Sequence, residues 1–294
     1  MKNNNPLSLF YKEKCRLCGN LCETERKASK GFCGADNDLY VSASSLHFGE
    51  EPPISGKRGS GTIFFTNCSM HCIYCQNYPV SQMGIGNKKN ILQLINMMLN
   101  LQNKNAQNIN LVTPSHYSFH IYEAVTKAKE EGLKIPIVWN TSSYENPETV
   151  KYINQIADIY LADIRYSNDA DAFELSHVKN YTEIVFKNIK EFHRVKSNLS
   201  MDKNGVALKG VLVRVLLLPG KVNECKRILD FIHNELGRET FVSIMSQYVP
   251  YFKAHEHYKL KRRVNREEYD LVIEYGDKLN LKNAFIQEIA YTEE

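Results

Sequence analysis

"GTIFFTNCSMHCIYCQN" (residues 61–77) runs an apolar stretch directly into three cysteines, Cys68, Cys72 and Cys75. Its first seven residues are rich in β-branched and aromatic side chains, which predicts a strand over 61–67. The cysteines follow at spacings of three residues and then two. Thiolates this close suit an iron–sulfur cluster or zinc. A metal site normally takes four ligands, and here the chain supplies three. A cubane held by three thiolates keeps one iron without a protein ligand, and an open position is what makes a metal site catalytic. The fourth ligand is therefore expected to be a small molecule.

The pattern repeats outward from this strand. Apolar runs at 108–113, 134–140, 157–164, 209–220 and 240–246 read as further strands. Segments of helical spacing lie between and after them, at 90–104, 117–132, 147–156, 181–196, 222–236 and 265–281. Continuously apolar strands with helical crossovers predict a parallel sheet covered by helices. Six such units predict an α/β fold, a partial (β/α)6 TIM-like barrel, with an open doubly wound sheet as the alternative. In such a barrel chemistry sits at the C-terminal ends of the strands. "NLSMDKNGVAL" (198–208) reads as a hairpin around Asn204-Gly205. Before residue 60 periodicity is weak, and "GEEPPISGKRGSG" (49–61) reads as an ordered loop. The expected organisation is a cysteine-rich metal-binding module and linker over 1–60, then a core domain with a C-terminal extension over 61–294.

The net charge of +4 is too small to demand nucleic acid or anionic lipid. Neither a signal-peptide-length apolar run in residues 1–14 nor a run of 18 apolar residues occurs, so a soluble, cytoplasmic protein is expected. In such a chain eight cysteines read as metal ligands rather than disulfides. Four of them, Cys15, Cys18, Cys22 and Cys33, make a closed site with spacings of two, three and ten residues. Zinc and a second [4Fe–4S] cluster both fit, and the knuckle-like "CRLCG" leans toward zinc. Arg16, Arg26, Lys27 and Lys30 beside them read as a solvated face. Cys225 reads as a half-buried helix residue. The cationic "FKAHEHYKLKRRVNR" (252–266) reads as a solvated loop, with an RNA or acidic-protein contact as the alternative.

The Cys-x3-Cys-x2-Cys motif after a first strand, with Tyr74 before the last cysteine, resembles the radical S-adenosylmethionine superfamily. "CQN" (75–77) resembles the branch that holds pyruvate formate-lyase activating enzyme. "LHFGEEPPISGKRGSGTIFF" (46–65), "NINLVTPSHY" (108–117), "DIYLADIRY" (158–166) and "MSQYVP" (245–250) resemble its PflX-type relatives. The resemblance implies a partial barrel of that superfamily's type. It implies a [4Fe–4S] cluster on Cys68, Cys72 and Cys75 whose open iron binds S-adenosylmethionine. Reductive cleavage there yields a 5′-deoxyadenosyl radical that abstracts hydrogen. It also implies an electron donor such as flavodoxin or ferredoxin, and a protein substrate such as a glycyl radical enzyme. Neither a membrane nor a nucleic acid is expected as a partner. The family's Gly-Gly-Glu element is replaced by "VTPSH", which leaves Thr113 and Ser115 as candidates for the cofactor ammonium. Asn140 and Asp163 match the ends of the third and fourth strands, where the family has two aspartates, and Arg165 replaces a lysine. Arg165 could pair with the cofactor carboxylate. Helix capping by Asp163 is the plainer alternative. Arg214, a charge inside the apolar "VLVRVLLLPG", either points at cofactor or substrate or pairs with a nearby acid. Tyr74 is expected to pack against the adenine or the cysteine loop. Gln247 and Tyr248 could line the substrate side. An iron–sulfur electron carrier, or a metal-stabilised binding module without radical chemistry, is the alternative function.

Overall fold

The computed structural model describes residues 5–287. After a short 3-10 turn, Pro6–Phe10, the cysteine-rich segment runs without regular structure to strand β1, Leu39–His47. Helix α1 (Pro52–Ser55) and strand β2 (Ser60–Phe65) follow, then α2 (Tyr78–Ser81) and the short β3 (Asn87–Lys89). Alternation then sets in: α3 (Ile91–Asn103), β4 (Ile109–Val112), α4 (Ser118–Glu130), β5 (Ile137–Thr141), α5 (Pro147–Ile156) and β6 (Ile159–Ile164). Two helices, α6 (Asp169–Ser176) and α7 (Tyr181–Lys196), lead to a hairpin of β7 (Ser200–Met201) and β8 (Ala207–Leu216). The chain finishes with α8 (Val222–Phe231), β9 (Phe241–Met245), α9 (Arg266–Lys278) and β10 (Asn283–Ile286).

The sheet order is β10-β9-β8-β6-β5-β4-β2-β1-β3, with β7 paired to β8 beside this path. From β2 to β10 every neighbour in that path is parallel. The sheet does not close, so the protein is an open partial barrel. The six predicted strands are all present, in chain order. β10 adds a seventh parallel strand, and β1 and β3 extend the other edge in antiparallel sense. β1 belongs to this sheet although it lies before the expected boundary near residue 60.

Local chemistry explains the helix ends. Asn90 opens α3 with a capping box, accepting from Gln93 N–H while the Gln93 side chain accepts from Asn90 N–H. Asn146 caps α5 ahead of Pro147, whose missing N–H costs nothing at that position. Successive residues of each strand alternate between two apolar layers. Trp139, Tyr160 and Val213 join the large core beneath the helices. Val138, Ile159, Leu161 and Leu212 face the other way, into the barrel, and pack on Ile54 of α1. The turn of α1 therefore fills the lower part of the barrel interior and leaves the end near the strands' C-termini open. Cys225 is fully buried in α8 rather than half-buried. Among the described residues no helix is long and apolar enough to cross a membrane.

One glycine stands where β8 starts to pair with β6. Gly210 has φ +126, and a Cβ there would stand 2.5 Å from the Asn198 carbonyl oxygen and 2.6 Å from Leu199 Cα. These are backbone atoms that cannot swing away. Gly210→Ala should destabilise the protein by about 3 kcal/mol or more in urea unfolding. Gly205→Ala should cost only about 1 kcal/mol, because φ there is also positive but the space is open. Equal costs would show that the close approach at Gly210 is unimportant.

Candidate functional site

The C-terminal ends of β2, β4, β5, β6, β8, β9 and β10 surround one cavity of about 780 Å³. Cys68, Cys72, Tyr74, Cys75, Thr113, Ser115, Asn140, Asp163, Arg165 and Arg214 all line it, so every core residue singled out from the sequence meets in one place. Gln247 and Tyr248 line it too, after β9.

The cysteine loop between β2 and α2 has no helix or strand of its own. Its amides are taken from two sides. On one side His71 N–H donates to the Ser176 carbonyl (3.0 Å) and Ile73 N–H to that of Leu175 (2.9 Å), both at the end of α6. On the other, Cys68 N–H donates to the Cys33 carbonyl (3.4 Å), and the Asn20 amide donates to the Ser69 carbonyl (2.6 Å). The thiols have their own partners. Ser176 Oγ donates to Cys72 Sγ (2.9 Å), Met70 N–H to Cys68 Sγ (3.4 Å), and Cys75 Sγ meets Ser81 Oγ (3.1 Å). Burial pushes the Cys68 and Cys72 thiols up, so a cation in the cavity is what would make them thiolates. Tyr74 is fully buried. Its hydroxyl bonds that of Tyr166 (2.7 Å), which in turn meets Ser176 Oγ (2.5 Å). Its ring packs edge-on against Tyr248. Tyr74 thus props the loop while presenting one edge to the cavity.

At the end of β4, Thr113 has φ +58, unusual for a β-branched residue, and its N–H donates to the Asn140 carbonyl (3.0 Å). Ser115 faces the cavity, but its hydroxyl donates to buried Glu145 (2.8 Å), which also accepts from Trp139 Nε1 (3.0 Å) and Thr141 Oγ1 (2.5 Å). His116 turns into the core instead, with Nε2 on the Thr66 carbonyl, and burial pushes its pKa down to about 3. Asp163 does not cap a helix: Asn168 caps α6. Asp163 pairs with Arg165 at 2.5 Å, and burial pushes its carboxyl up against the pull of that guanidinium. Arg165 Nε remains buried with no hydrogen-bond partner, a donor left over near Cys68 and Cys72.

Arg214 takes the second of its sequence alternatives and pairs with nearby acids. It faces the cavity and is clamped by Glu51, Nε at 2.8 Å and a terminal nitrogen at 2.6 Å, and by Glu50. Glu50 also accepts from Asn110 Nδ2 (2.8 Å). Sequence reasoning missed Glu50, Glu51, Glu145 and Ser176. The loop before α1 was read only as ordered chain, and no local signal ties it to a strand far along the sequence. His257, in the cationic 252–266 segment, pairs with Glu174 (3.1 Å).

The four N-terminal cysteines lie beside the cavity on the same rim. Cys18 pairs with Glu145 as an isolated bridge, and Gly19 N–H donates to the Tyr144 carbonyl (2.9 Å). Cys15, Cys18 and Cys33 are buried. The Cys22 thiol points at the Cys15 carbonyl (4.0 Å), and the closeness of the two thiols raises Cys15 and lowers Cys22 to about 4. A Cβ on Gly31 would stand 3.5 Å from both the Cys22 and the Cys33 sulfurs. Among the described residues no three His, Cys, Asp or Glu side chains stand in position to hold a metal ion.

Residues 54–183 match the 4Fe-4S single cluster domain family. An uncharacterized protein of Methanocaldococcus jannaschii is 29% identical over 282 residues, covering 92% of this chain and 76% of that protein. Among solved structures, Streptococcus suis SuiB bound to precursor peptide SuiA matches with a TM-score of 0.54 and 16% identity over 76% of this chain. SuiB bound to S-adenosylmethionine matches with a TM-score of 0.50 and 15% identity over the same share. The present chain covers 47% and 45% of those chains, so it spans about half their length. The fold is shared with SuiB.

The Arg214 clamp gives a pH prediction. Burial alone would raise Glu51, but the Arg214 guanidinium outweighs it and holds the carboxyl below its usual 4.5. A depressed carboxyl stabilises the fold above its unfolded pKa, and that stability is lost as the pH falls through the folded value. Arg214→Met leaves buried carboxylates without a partner, which should cost about 3–5 kcal/mol at pH 7. Those carboxyls then have raised pKa values and take up protons on mild acidification. The gap between variant and unaltered protein should therefore narrow as urea unfolding is repeated toward pH 5. A gap independent of pH would show that Arg214 acts by packing alone.

Proposed function

We propose that this protein is a radical S-adenosylmethionine enzyme, with Cys68, Cys72 and Cys75 as the ligands of its [4Fe–4S] cluster. The observation that carries the reading is the convergence of three thiols from one loop with polar side chains from successive strand ends on one cavity. The match to a 4Fe-4S single cluster domain supports it. The cavity also suits the group chemically. It offers three thiols and no fourth, a buried Arg165 donor without a partner, and the hydroxyl and amide of Thr113 and Asn140. Bound there, the cluster and S-adenosylmethionine supply reductive cleavage to a 5′-deoxyadenosyl radical that takes a hydrogen atom from substrate.

The chain's own residues do the rest. Arg165 Nε is positioned to donate to a carboxylate, and Asp163 holds that guanidinium in place. Thr113 and Asn140 offer acceptors for an ammonium. Tyr74 and Ser176 brace the cysteine loop through the Tyr166 hydroxyl and the Cys72 sulfur. Gln247 and Tyr248 face the substrate side. The substrate is read as a protein segment, a class to which the precursor peptide of one SuiB structure belongs, and the electron as coming from a flavodoxin or ferredoxin. Cys15, Cys18, Cys22 and Cys33 are read as the ligands of a second centre, zinc or a further cluster.

Anaerobic incubation of reconstituted protein with S-adenosylmethionine and dithionite should release 5′-deoxyadenosine. Cys68→Ala, Cys72→Ala and Cys75→Ala should each abolish both the product and the cluster's electron-spin signal. A cluster signal indifferent to S-adenosylmethionine would instead favour an electron carrier.

Metal analysis tests the second centre. About one zinc with four irons per chain identifies zinc, and about eight irons identifies a second cluster. Four irons and no zinc would mean that the four N-terminal thiols bind nothing.

A further inference from the structure

Arg26 departs from the solvated face that its neighbours suggest. Arg16, Lys27 and Lys30 are exposed, whereas Arg26 is 3% exposed. The site where Gly31 would carry a Cβ lies 3.3 Å from Arg26 Nε and 3.5 Å from the sulfurs of Cys22 and Cys33. The guanidinium therefore lies beside the sulfurs of Cys22 and Cys33.

A buried guanidinium is costly without a counter-charge. The other two in this chain have one: Arg165 sits on Asp163, and Arg214 on Glu50 and Glu51. Among the described residues Arg26 makes no ion pair with a carboxylate. Its one hydrogen bond goes from a terminal nitrogen to the Asp36 backbone carbonyl at 3.4 Å, and Nε has no partner. The Asp36 carboxylate accepts from the Asp38 amide (2.9 Å). The Tyr11 ring lies 5.7 Å away, a contact that softens the charge without cancelling it. His116 and His120 nearby are neutral, since burial pushes them down to about 3 and about 4. The Cys33 and Cys15 thiols are groups around Arg26 able to carry negative charge.

We propose that Arg26 is the fixed counter-cation of the four-cysteine centre, offsetting the excess negative charge that four thiolates place on a bound metal. Four thiolates around a divalent ion, or around a cluster core of the same charge, leave a net charge of about −2. A permanent cation among the sulfurs favours that loaded state over neutral thiols. The inference rests on the four cysteines binding a metal, and it makes Arg26 a positioning residue for that metal's charge rather than a ligand.

The charge account predicts a reversal that packing does not. With metal bound, Arg26 stabilises. Without it, Arg26 is an uncompensated buried charge and destabilises. The test compares Arg26→Met and Arg26→Lys in full-length, anaerobically purified protein. Zinc and iron are counted, and release into an excess of a chromophoric chelator is followed at one fixed pH, with Cys15→Ala marking the share that belongs to this centre. Arg26→Met should release that share about 10-fold faster or more, and Arg26→Lys should stay closer to the unaltered rate. In the Cys15→Ala background the sign should invert, with Arg26→Met raising the melting temperature. Unchanged release from Arg26→Met, equal losses from Met and Lys, or a lowered melting temperature in both backgrounds would each overturn the role while leaving the metal site standing. Absence of metal from this site in the unaltered protein would overturn both.

Discussion

The site depends on a loop that cannot hold itself. Residues 66–77 carry all three mouth thiols, yet they form neither helix nor strand, so their amides must find partners elsewhere. Cys75 N–H turns back on the Cys72 carbonyl, Thr66 and Asn67 reach β1 and α2, and the other anchors come from two elements distant in sequence. The end of α6 supplies two carbonyls and the Ser176 hydroxyl, and the N-terminal segment supplies the Cys33 carbonyl and the Asn20 amide. The triangle of sulfurs is thus set by three pieces of chain meeting, and the barrel supplies only the strand end from which the loop leaves. The N-terminal segment in turn borrows its order. Leu7, Phe10, Tyr11 and Leu17 bury themselves against Phe119, Tyr122 and Tyr152 of α4 and α5, because the segment is too short to form a core of its own.

Buried charge is handled by one rule around this rim. Arg165 and Arg214 come from the strand ends and are matched by carboxylates, one from the same strand and two from the loop before α1. Register makes the two pairs neighbours, since Asp163 lies opposite Arg214 across β6 and β8. The result is a strip of alternating sign along one wall, on a floor of apolar side chains that Ile54 helps to seal. Glu51 immediately precedes α1, so the residue that clamps Arg214 and the residue that plugs the barrel belong to one turn of chain.

The sequence was most readable where periodicity reports burial on both faces. The strands from 61 to 246 are mostly apolar and α3, α5 and α6 carry capping asparagines, and both signals are local. β1 was invisible for the opposite reason: "LYVSASSLH" is buried at its start and exposed through its serines, an edge pattern with no crossover helix to announce it. β10 is four residues long and half-exposed. Thr113, Asn140 and Asp163 could be named from the family resemblance and Arg214 as a charge within an apolar strand, and the parallel sheet sends all four strand ends to one rim. Their partners could not. Glu51 lies 163 residues from Arg214, and Ser176 lies 104 from Cys72. Arg26 was hidden by its own neighbours, since a run of cations reads as solvated whether or not one of them turns inward.

Thr113 shows why the departure at "VTPSH" is chemically tolerable. The backbone leaves β4 with φ +58, a conformation in which glycine is the natural occupant and a β-branched side chain is strained. The hydrogen bond from its N–H to the Asn140 carbonyl ties that turn to the neighbouring strand, and Ser115 ties the next step to Glu145. Glu145 itself is held by Trp139 and Thr141, so the strained turn is braced by the interior of β5 rather than by solvent. A carboxylate at the end of β4 would have projected into the cavity as a charge. Here the nearest glutamate is withdrawn behind the strands and spends its oxygen on hydroxyl and indole donors. What reaches the cavity from β4 is a neutral, tightly placed hydroxyl and backbone, which leaves Asp163, Glu50 and Glu51 to supply the negative charge on its walls.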